Sequence, residues 1–309
     1  RNPRFVRNLP KSRAQRCALR DLCYEARAGN CQRAGLHASA RLSGFLMMDW
    51  SQINGISSAD PSAPVVVNTP SADALISDLE QRFRAREGFT VATLNLDHVV
   101  KLRHDEQFRA AYARHSHVAA DGNPIVWLSR LSGQQIELVP GSDLVAPVAE
   151  AAVRNDVPVA LFGSTERSLA DAAAALSAKF PGLRVVAQIA PPMGFDPLSV
   201  EADALIEELS NSGARLVFLA LGAPKQEVFA ARAAQRLQDA GFLSIGAGLD
   251  FLSGSQKRAP ALVRAVAAEW IWRLMCNPRR LLGRYMGCIA ILPSLTVSAM
   301  RQRSQAGGS

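Results

Sequence analysis

Cysteine is scarce and carries no pairing pattern. The five cysteines, Cys17, Cys23, Cys31, Cys276 and Cys288, are odd in number and show no C-x-x-C spacing. Neither a disulfide framework nor a zinc site is supported, and a reducing, cytosolic compartment fits. No apolar run of secretory-signal type follows the basic N-terminal stretch. The only long uncharged stretch, Tyr285–Met300, has sixteen residues and contains Pro293. That falls short of the roughly 20 residues a spanning helix needs, so the stretch is expected to lie on a membrane or to pack against the body. Several motifs are missing too. There is no Walker A loop, no G-x-S-x-G elbow, no H-E-x-x-H and no complete G-x-G-x-x-G, because Phe251 stands where the third glycine after Gly246 and Gly248 would be. P-loop, α/β-hydrolase and zincin chemistry are thereby disfavoured. Asp-x-Asp, a common carboxylate pair for holding a divalent metal, is also lacking. Glu201 and Asp203 read instead as the acidic first turn of a helix. His98, His104, His115 and His117 have no further Cys/His partner, and His115-x-His117 reads as a surface pair rather than a metal site.

What is present is apolar material in quantity. Hydrophobic residues make up 48% of the 309 and charged ones 20%, enough for one large domain or two small ones and unlike a disordered chain, a collagen or a coiled coil. The net charge of +8 is unevenly placed. Residues 1–46 hold ten Lys/Arg against two Asp/Glu, residues 47–254 hold sixteen against twenty-four, and residues 255–309 hold nine against one. An acidic body thus carries two basic ends. The first 46 residues show no sustained period and contain three of the cysteines. They read as a flexible tail or an over-extended gene start, with the functional chain beginning near Met47. Three regions are expected: 1–46, a core over 47–254, and a basic helical appendage over 255–309.

From residue 65 to 250, short apolar runs alternate with Ala-rich helical segments. That pattern predicts β/α units and a Rossmann-like, mostly parallel sheet flanked by helices. Strands are expected at Thr90–Leu94, Ile136–Val139, Val157–Phe162, Leu183–Ile189, Leu216–Leu221 and Phe242–Ile245. Helices are expected at Leu169–Phe180, Val200–Ser210 and Gln226–Ala240, with Gly182, Gly213 and Gly241 as their C-caps. No repeat of 20 to 50 residues is visible.

In such sheets ligands bind beyond the carboxyl ends of the strands, where helix N-termini present N–H groups to anions. Four segments fall there: 93–98, 163–166, 222–227 and 246–251. Gly222-Ala223-Pro224-Lys225-Gln226-Glu227 closes a hydrophobic strand with a small-residue turn and places Lys225 and Gln226 at a helix mouth. It suits a phosphate or sugar hydroxyl, or is an ordinary strand-to-helix turn with a solvated lysine. Gly163–Arg167, with Ser164 or Thr165 as N-cap, is an anion cradle or a plain cap. Asp121, in Ala120-Asp121-Gly122-Asn123-Pro124, is placed to take a proton from an attacking hydroxyl, although Asp-Gly is also a common turn.

After Gly254 the chain turns basic. Val263, Val266, Ala267, Trp270 and Leu274 share one helical face, and Asn277-Pro278 is expected to end that helix. Arg279, Arg280 and Arg284 follow, near Trp270, Trp272 and Tyr285. This is either a docking helix with a solvated basic face or an element for an anionic lipid interface. Arginines also clamp diphosphates bidentately.

A set of motifs then carries a resemblance. Thr93-x-Asn95, Ala120-Asp121-Gly122, Pro140-Gly141-Ser142-Asp143, Leu221 to Glu227, Gly246-x-Gly248-x-x-Phe251, Arg258-Ala259-Pro260, Glu269-Trp270-x-x-Arg273-Leu274 and Asn277-Pro278-Arg279-Arg280 occur in that order over about residues 65 to 285. Together they resemble the WecG/TagA/CpsF glycosyltransferases, glycosyltransferase family 26. The resemblance implies an inverting, metal-independent transfer, without a cofactor, of a hexose, N-acetylhexosamine or uronic acid from a UDP-sugar to an undecaprenyl-diphosphate-linked saccharide. The setting it implies is peripheral, at the cytoplasmic face of the bacterial inner membrane, in surface or exopolysaccharide synthesis. Asp121 matches the family's proposed base. Thr93, Asn95 and Gln226 match pocket residues, and Gly222, Lys225 and Glu227 belong to the same substrate-binding set. Arg273, Arg280 and Arg284 match arginines thought to close over the diphosphate. The family's aromatic after Arg-Ala-Pro and its Gly-Leu before Glu-Trp are replaced here by Ala261-Leu262 and Ala267-Ala268.

The partners implied are the UDP-sugar, the polyprenyl-diphosphate-linked acceptor and an anionic membrane surface, without nucleic acid. Homo-oligomer formation is left open. The competing assignment is a nucleotide- or NAD-dependent oxidoreductase on the same kind of sheet, against which the incomplete glycine fingerprint weighs. A nucleic-acid binder using the basic ends conflicts with the acidic body.

Overall fold

A computed structural model of the chain describes residues 48–49, 64–256, 269–276 and 278–306. The expectations for residues 1–46, and for Arg258-Ala259-Pro260 and its apolar neighbours Val263, Val266 and Ala267, lie outside the described residues.

The body is a six-stranded sheet in the order β4-β3-β8-β7-β5-β6, with every pair parallel. Its strands are β3 (Phe89–Leu94), β4 (His117–Ala120), β5 (Val159–Gly163), β6 (Val185–Ile189), β7 (Leu216–Ala220) and β8 (Gly241–Ser244). A separate parallel pair joins β1 (Met48–Asp49) to β2 (Val65–Val66). The expected Rossmann-like α/β architecture is what the chain adopts.

The central strands are near-continuous apolar runs because both faces of the sheet are covered. Successive side chains still part to opposite sides. Val91, Leu161, Phe218 and Leu243 enter one cluster with α1 (Ala72–Ala85), α5 (Gly141–Arg154) and α6 (Glu166–Lys179). On the other face, Ala92, Leu94 and Val118 pack with α2 (Leu96–Leu102), α3 (Glu106–Ala113) and α4 (Asn123–Leu131). Further along that face Phe162, Val217, Leu219 and Phe242 pack with α7 (Val200–Asn211) and α8 (Lys225–Ala233). Five helix starts are capped by short polar side chains. Ser71, Asn95, Asp105, Thr165 and Ser199 each accept a bond from a backbone N–H three residues on.

Three local expectations are corrected. Ile136–Val139 is not a strand of the sheet; its bonds go from Glu137 N to Pro70 O and from Val139 N to Ala120 O. Gly241 does not cap a helix, because α8 already ends at Ala233. It opens β8, where a Cβ would meet the Phe89 ring at 2.1 Å, so a side chain there would have to push that ring aside. The third concerns the C-terminal region. Short α9 (Gly248–Leu252) and α10 (Glu269–Cys276) precede α11 (Pro278–Ala306), which runs on through Pro293. The expected stop before Pro278 holds. The sixteen-residue limit does not, since Leu281–Gln305 is by length and composition long and apolar enough to cross a membrane. One face of α11 nevertheless belongs to the body: Ile291, Leu295 and Ala299 are buried in the cluster of α2 and α4, with Met48. Leu282, Met286, Ile289, Val297 and Met300 are exposed on it. Trp270 is about half exposed and meets the Tyr285 ring edge-on at 5.8 Å.

Candidate functional site

Because all six strands run the same way, their carboxyl ends deliver the segments of interest to one edge. Strands β3 and β4 pair with Thr93 opposite Ala119 and Leu94 opposite Ala120. Asp121 therefore follows directly on the strand beside Thr93, and its N–H donates to Leu94 O at 2.7 Å. Thr93 Oγ1 stands 3.5 Å from Asp121 Oδ2, a long contact. The N-terminus of α5 presses against the same spot. A Cβ on Gly141 would lie 2.7 Å from Ser244 O and 3.2 Å from Thr93 Oγ1. The Pro140-Gly141-Ser142-Asp143 motif thus brings a helix start next to Thr93, and a side chain at 141 would force it away.

Asn95 has a double duty. It follows β3 as the N-cap of α2, with its side-chain oxygen accepting from His98 N at 3.0 Å. With the oxygen used, its NH2 is the part suited to a ligand acceptor. Behind it His98 Nδ1 lies 2.7 Å from the Tyr112 hydroxyl, both side chains buried. Burial drives the His98 pKa down to about 3, aided by Lys101, so the ring is neutral at physiological pH. Burial also raises the Tyr112 hydroxyl well above its usual value, with Glu227 and Asp121 adding to the effect.

Gln226 ties together two loops of the edge. Its Oε1 accepts from Gly222 N at 3.3 Å, after β7, and from Gly246 N at 3.2 Å, after the neighbouring β8. Its Nε2 donates to Glu227 Oε1 at 2.8 Å. Glu227 has no solvent-exposed surface, and burial pushes its pKa up to about 7 against the opposing bond from Gln226. Lys225 begins α8 after the cis Ala223–Pro224 peptide.

A network that the sequence did not single out braces this corner. Lys101 Nζ donates to Ala223 O at 3.0 Å and pairs with Asp97 at 2.8 Å. Arg284 of α11 reaches the same Asp97 carboxylate. Burial works against the charge on Asp97, yet the bonds from Arg284 and Lys101 outweigh it and hold its pKa at about 2. The Asp97/Lys101 pair was visible as i,i+4 spacing on a helix; the partnership with Arg284 was not. Of the three expected lid arginines, Arg284 is thus placed against α2. The side chains of Arg273 and Arg280 lie outside the described residues.

The Gly163–Arg167 segment is a cap. Thr165 caps α6, and Ser164 Oγ donates to Asp250 at 2.6 Å, with Ser168 Oγ joining at 3.1 Å. Gln256 completes Asp250 at 2.8 Å. His115 and His117 are not the surface pair expected: His117 is largely buried and pairs with Asp78 at 2.8 Å, and His115 is fully buried with its Nδ1 at 2.8 Å from Ala111 O. Among the described residues no three His, Cys, Asp or Glu side chains form a group that would hold a metal ion.

Asp121, Thr93, Asn95 and the Gly222–Glu227 turn therefore stand on strand ends of one edge, with Arg284 and α11 packed on the helix that Asn95 caps. A protein-family model described as the glycosyl transferase WecG/TagA/CpsF family matches residues 63–306, which takes in the whole six-stranded sheet and α11. The chain belongs to the WecG/TagA/CpsF family and is a glycosyltransferase of cell-surface polymer synthesis.

Proposed function

We propose that the chain transfers a hexose, N-acetylhexosamine or uronic acid from a UDP-sugar to an undecaprenyl-diphosphate-linked saccharide, with inversion, at the cytoplasmic face of the inner membrane. The observation that carries this reading is the meeting of Asp121 with Thr93 on neighbouring strand ends, on the edge where Gln226 joins the loops after β7 and β8. Asp121 is the base. As the acceptor oxygen bonds to the anomeric carbon, the bond from that carbon to UDP breaks on the opposite side and the hydroxyl proton passes to Asp121. Thr93 and the NH2 of Asn95 hold sugar or phosphate oxygens beside it. Lys225 and the start of α8 face the developing charge on UDP, and Arg273, Arg280 and Arg284 close over the diphosphate.

Membrane proximity is supported by α11. Its exposed residues Leu282, Met286 and Ile289 recur at helical spacing, with Arg279 and Arg284 on the same helix. An apolar strip beside arginines suits the boundary of an anionic bilayer, and a helix half packed on the body lies along that boundary. The appendage from residue 255 on is, in this reading, the part of the enzyme that meets the lipid-linked acceptor. The test is a screen of radiolabelled UDP-sugars against short lipid-diphosphate acceptors, with and without EDTA. Transfer of one sugar that survives EDTA supports the reading. Loss of all transfer in EDTA overturns its metal independence, and transfer only from another nucleotide overturns the donor.

A further inference from the structure

We infer that Glu227 is a positioning residue that acts through Gln226: it fixes the Gln226 amide so that its oxygen holds the N–H groups of Gly222 and Gly246. This deepens the reading of the crevice, and only the kinetic arm of its test rests on the proposed function.

The argument starts from the two faces of an amide. Two backbone N–H groups, from the loops after adjacent strands β7 and β8, converge on Gln226 Oε1 at 3.3 and 3.2 Å. If the amide turned over, its NH2 would meet both donors, and two bonds would become two repulsions. Something must select the orientation, and the 2.8 Å bond from Gln226 Nε2 to Glu227 Oε1 does so, because a carboxyl oxygen there accepts and the NH2 must face it. Glu227 cannot touch a ligand from its place, since it is fully buried. Among the described residues its Oε2 has no hydrogen-bond partner, so the carboxyl is held in the interior at a cost that an apolar residue would not carry. Its only side-chain partner is Gln226 among the described residues. From the neighbouring helices Lys101 and Tyr112 lie near enough to interact with it electrostatically. Lys101 also grips Ala223 O. The loop after β7 is thus pinned by Gln226 on its first glycine and by Lys101 on the next residue. A crevice floor built this way is set before a ligand arrives, which removes ordering cost from binding.

The experiment combines amide hydrogen exchange, read by NMR at Gly222 and Gly246, with steady-state kinetics. In Glu227→Met, which keeps volume but not the acceptor, exchange at both glycines is expected to speed up by about tenfold or more, and Gln226→Ala to do the same. Glu227→Gln, whose amide oxygen still accepts from Gln226, is expected to keep protection within about threefold of the parent. In the kinetic arm Glu227→Met raises the donor KM by about tenfold alone and adds nothing in the Gln226→Ala background. Unchanged protection in folded Glu227→Met, or a full additional loss on top of Gln226→Ala, overturns the inference. Should Glu227→Met fail to fold, a Glu227→Gln protein that has lost protection at both glycines overturns it equally. If no UDP-sugar is a donor, the exchange arm still decides the question.

Discussion

Thr93 Oγ1 and Asp121 Oδ2 face each other across the β3–β4 pair at 3.5 Å. The contact is long for a hydrogen bond between two oxygens, and it sets Asp121 beside Thr93, where the proposed reading has it take the acceptor's proton. Asp121→Asn keeps the shape and removes the basicity. It is expected to lower kcat by about 100-fold or more while donor KM stays within about threefold, measured by steady-state transfer assays. A kcat unchanged by the substitution removes Asp121 as the base.

Gly141 tests the close approach of α5. A methyl group there meets Ser244 O at 2.7 Å, and backbone cannot swing aside as a flexible side chain would. Gly141→Ala should destabilise the fold by about 1–3 kcal/mol in urea unfolding and displace Thr93. Activity is expected to fall further than the unfolded fraction accounts for. A variant of parental stability and rate would show that α5 is not in tight register with the strand ends.

Glu227 gives a pH signature. Its folded pKa of about 7 lies above the usual 4.5, so the folded chain holds this proton more tightly than the unfolded one. The associated stability is complete below about pH 4.5 and is lost as the pH rises through about 7. Asp97 and His98 run the other way: their stability is lost as the pH falls, from 3.8 to about 2 for Asp97 and from 6.5 to about 3 for His98, equally in the parent and in a Glu227 variant. Unfolding measured at pH 5 and pH 8 should show the parent losing up to about 3 kcal/mol relative to Glu227→Gln. Parallel pH profiles for the two proteins would contradict the raised pKa.

The two sides of α11 should respond differently. Leu295 is buried in the cluster shared with α2 and α4, so Leu295→Ala should cost about 2–5 kcal/mol. Leu282, Met286 and Ile289 are more than half exposed. Replacing all three with serine should leave stability within about 1 kcal/mol and abolish sedimentation with anionic vesicles. Truncation after Gly254 is a blunter probe of the same idea, because it also uncovers the cluster that Leu295 fills. Vesicle binding that survives the triple replacement would refute the lipid-facing role.

How much of this was legible in the chain itself follows from the range of the interactions. Buried parallel strands are apolar on both faces, so β3, β5, β7 and β8 announced themselves within a residue or two. Ile136–Val139 has the same composition, but composition does not say whether a neighbouring strand is there to pair with; its partners proved to be Pro70 and Ala120. Gly241 was misplaced because the reason for it, the Phe89 ring, lies 152 positions away in sequence. The site divides likewise. Asp121, Thr93 and Gln226 stood out as polar residues at strand ends, where a parallel sheet must gather them. The bond from Gln226 to Gly246 and the reach of Lys101 to Ala223 connect separate loops, and no local pattern encodes them. Glu227 was legible as part of the same turn as Gln226; that both side chains are buried, with the Glu227 carboxyl bonded to the Gln226 amide, was not.

Met48 near one end of the described chain and Leu295 and Ala299 near the other occupy the same apolar cluster, and Gln302 donates to the Met48 carbonyl. During synthesis, the pocket lined by Leu94, Leu102 and Ile125 leaves the ribosome long before the residues that fill it. Until α11 emerges, the nascent protein carries an open greasy seam of the kind that chaperones or a bilayer surface would shelter. Maturation of the fold and arrival of α11 are then a single late event.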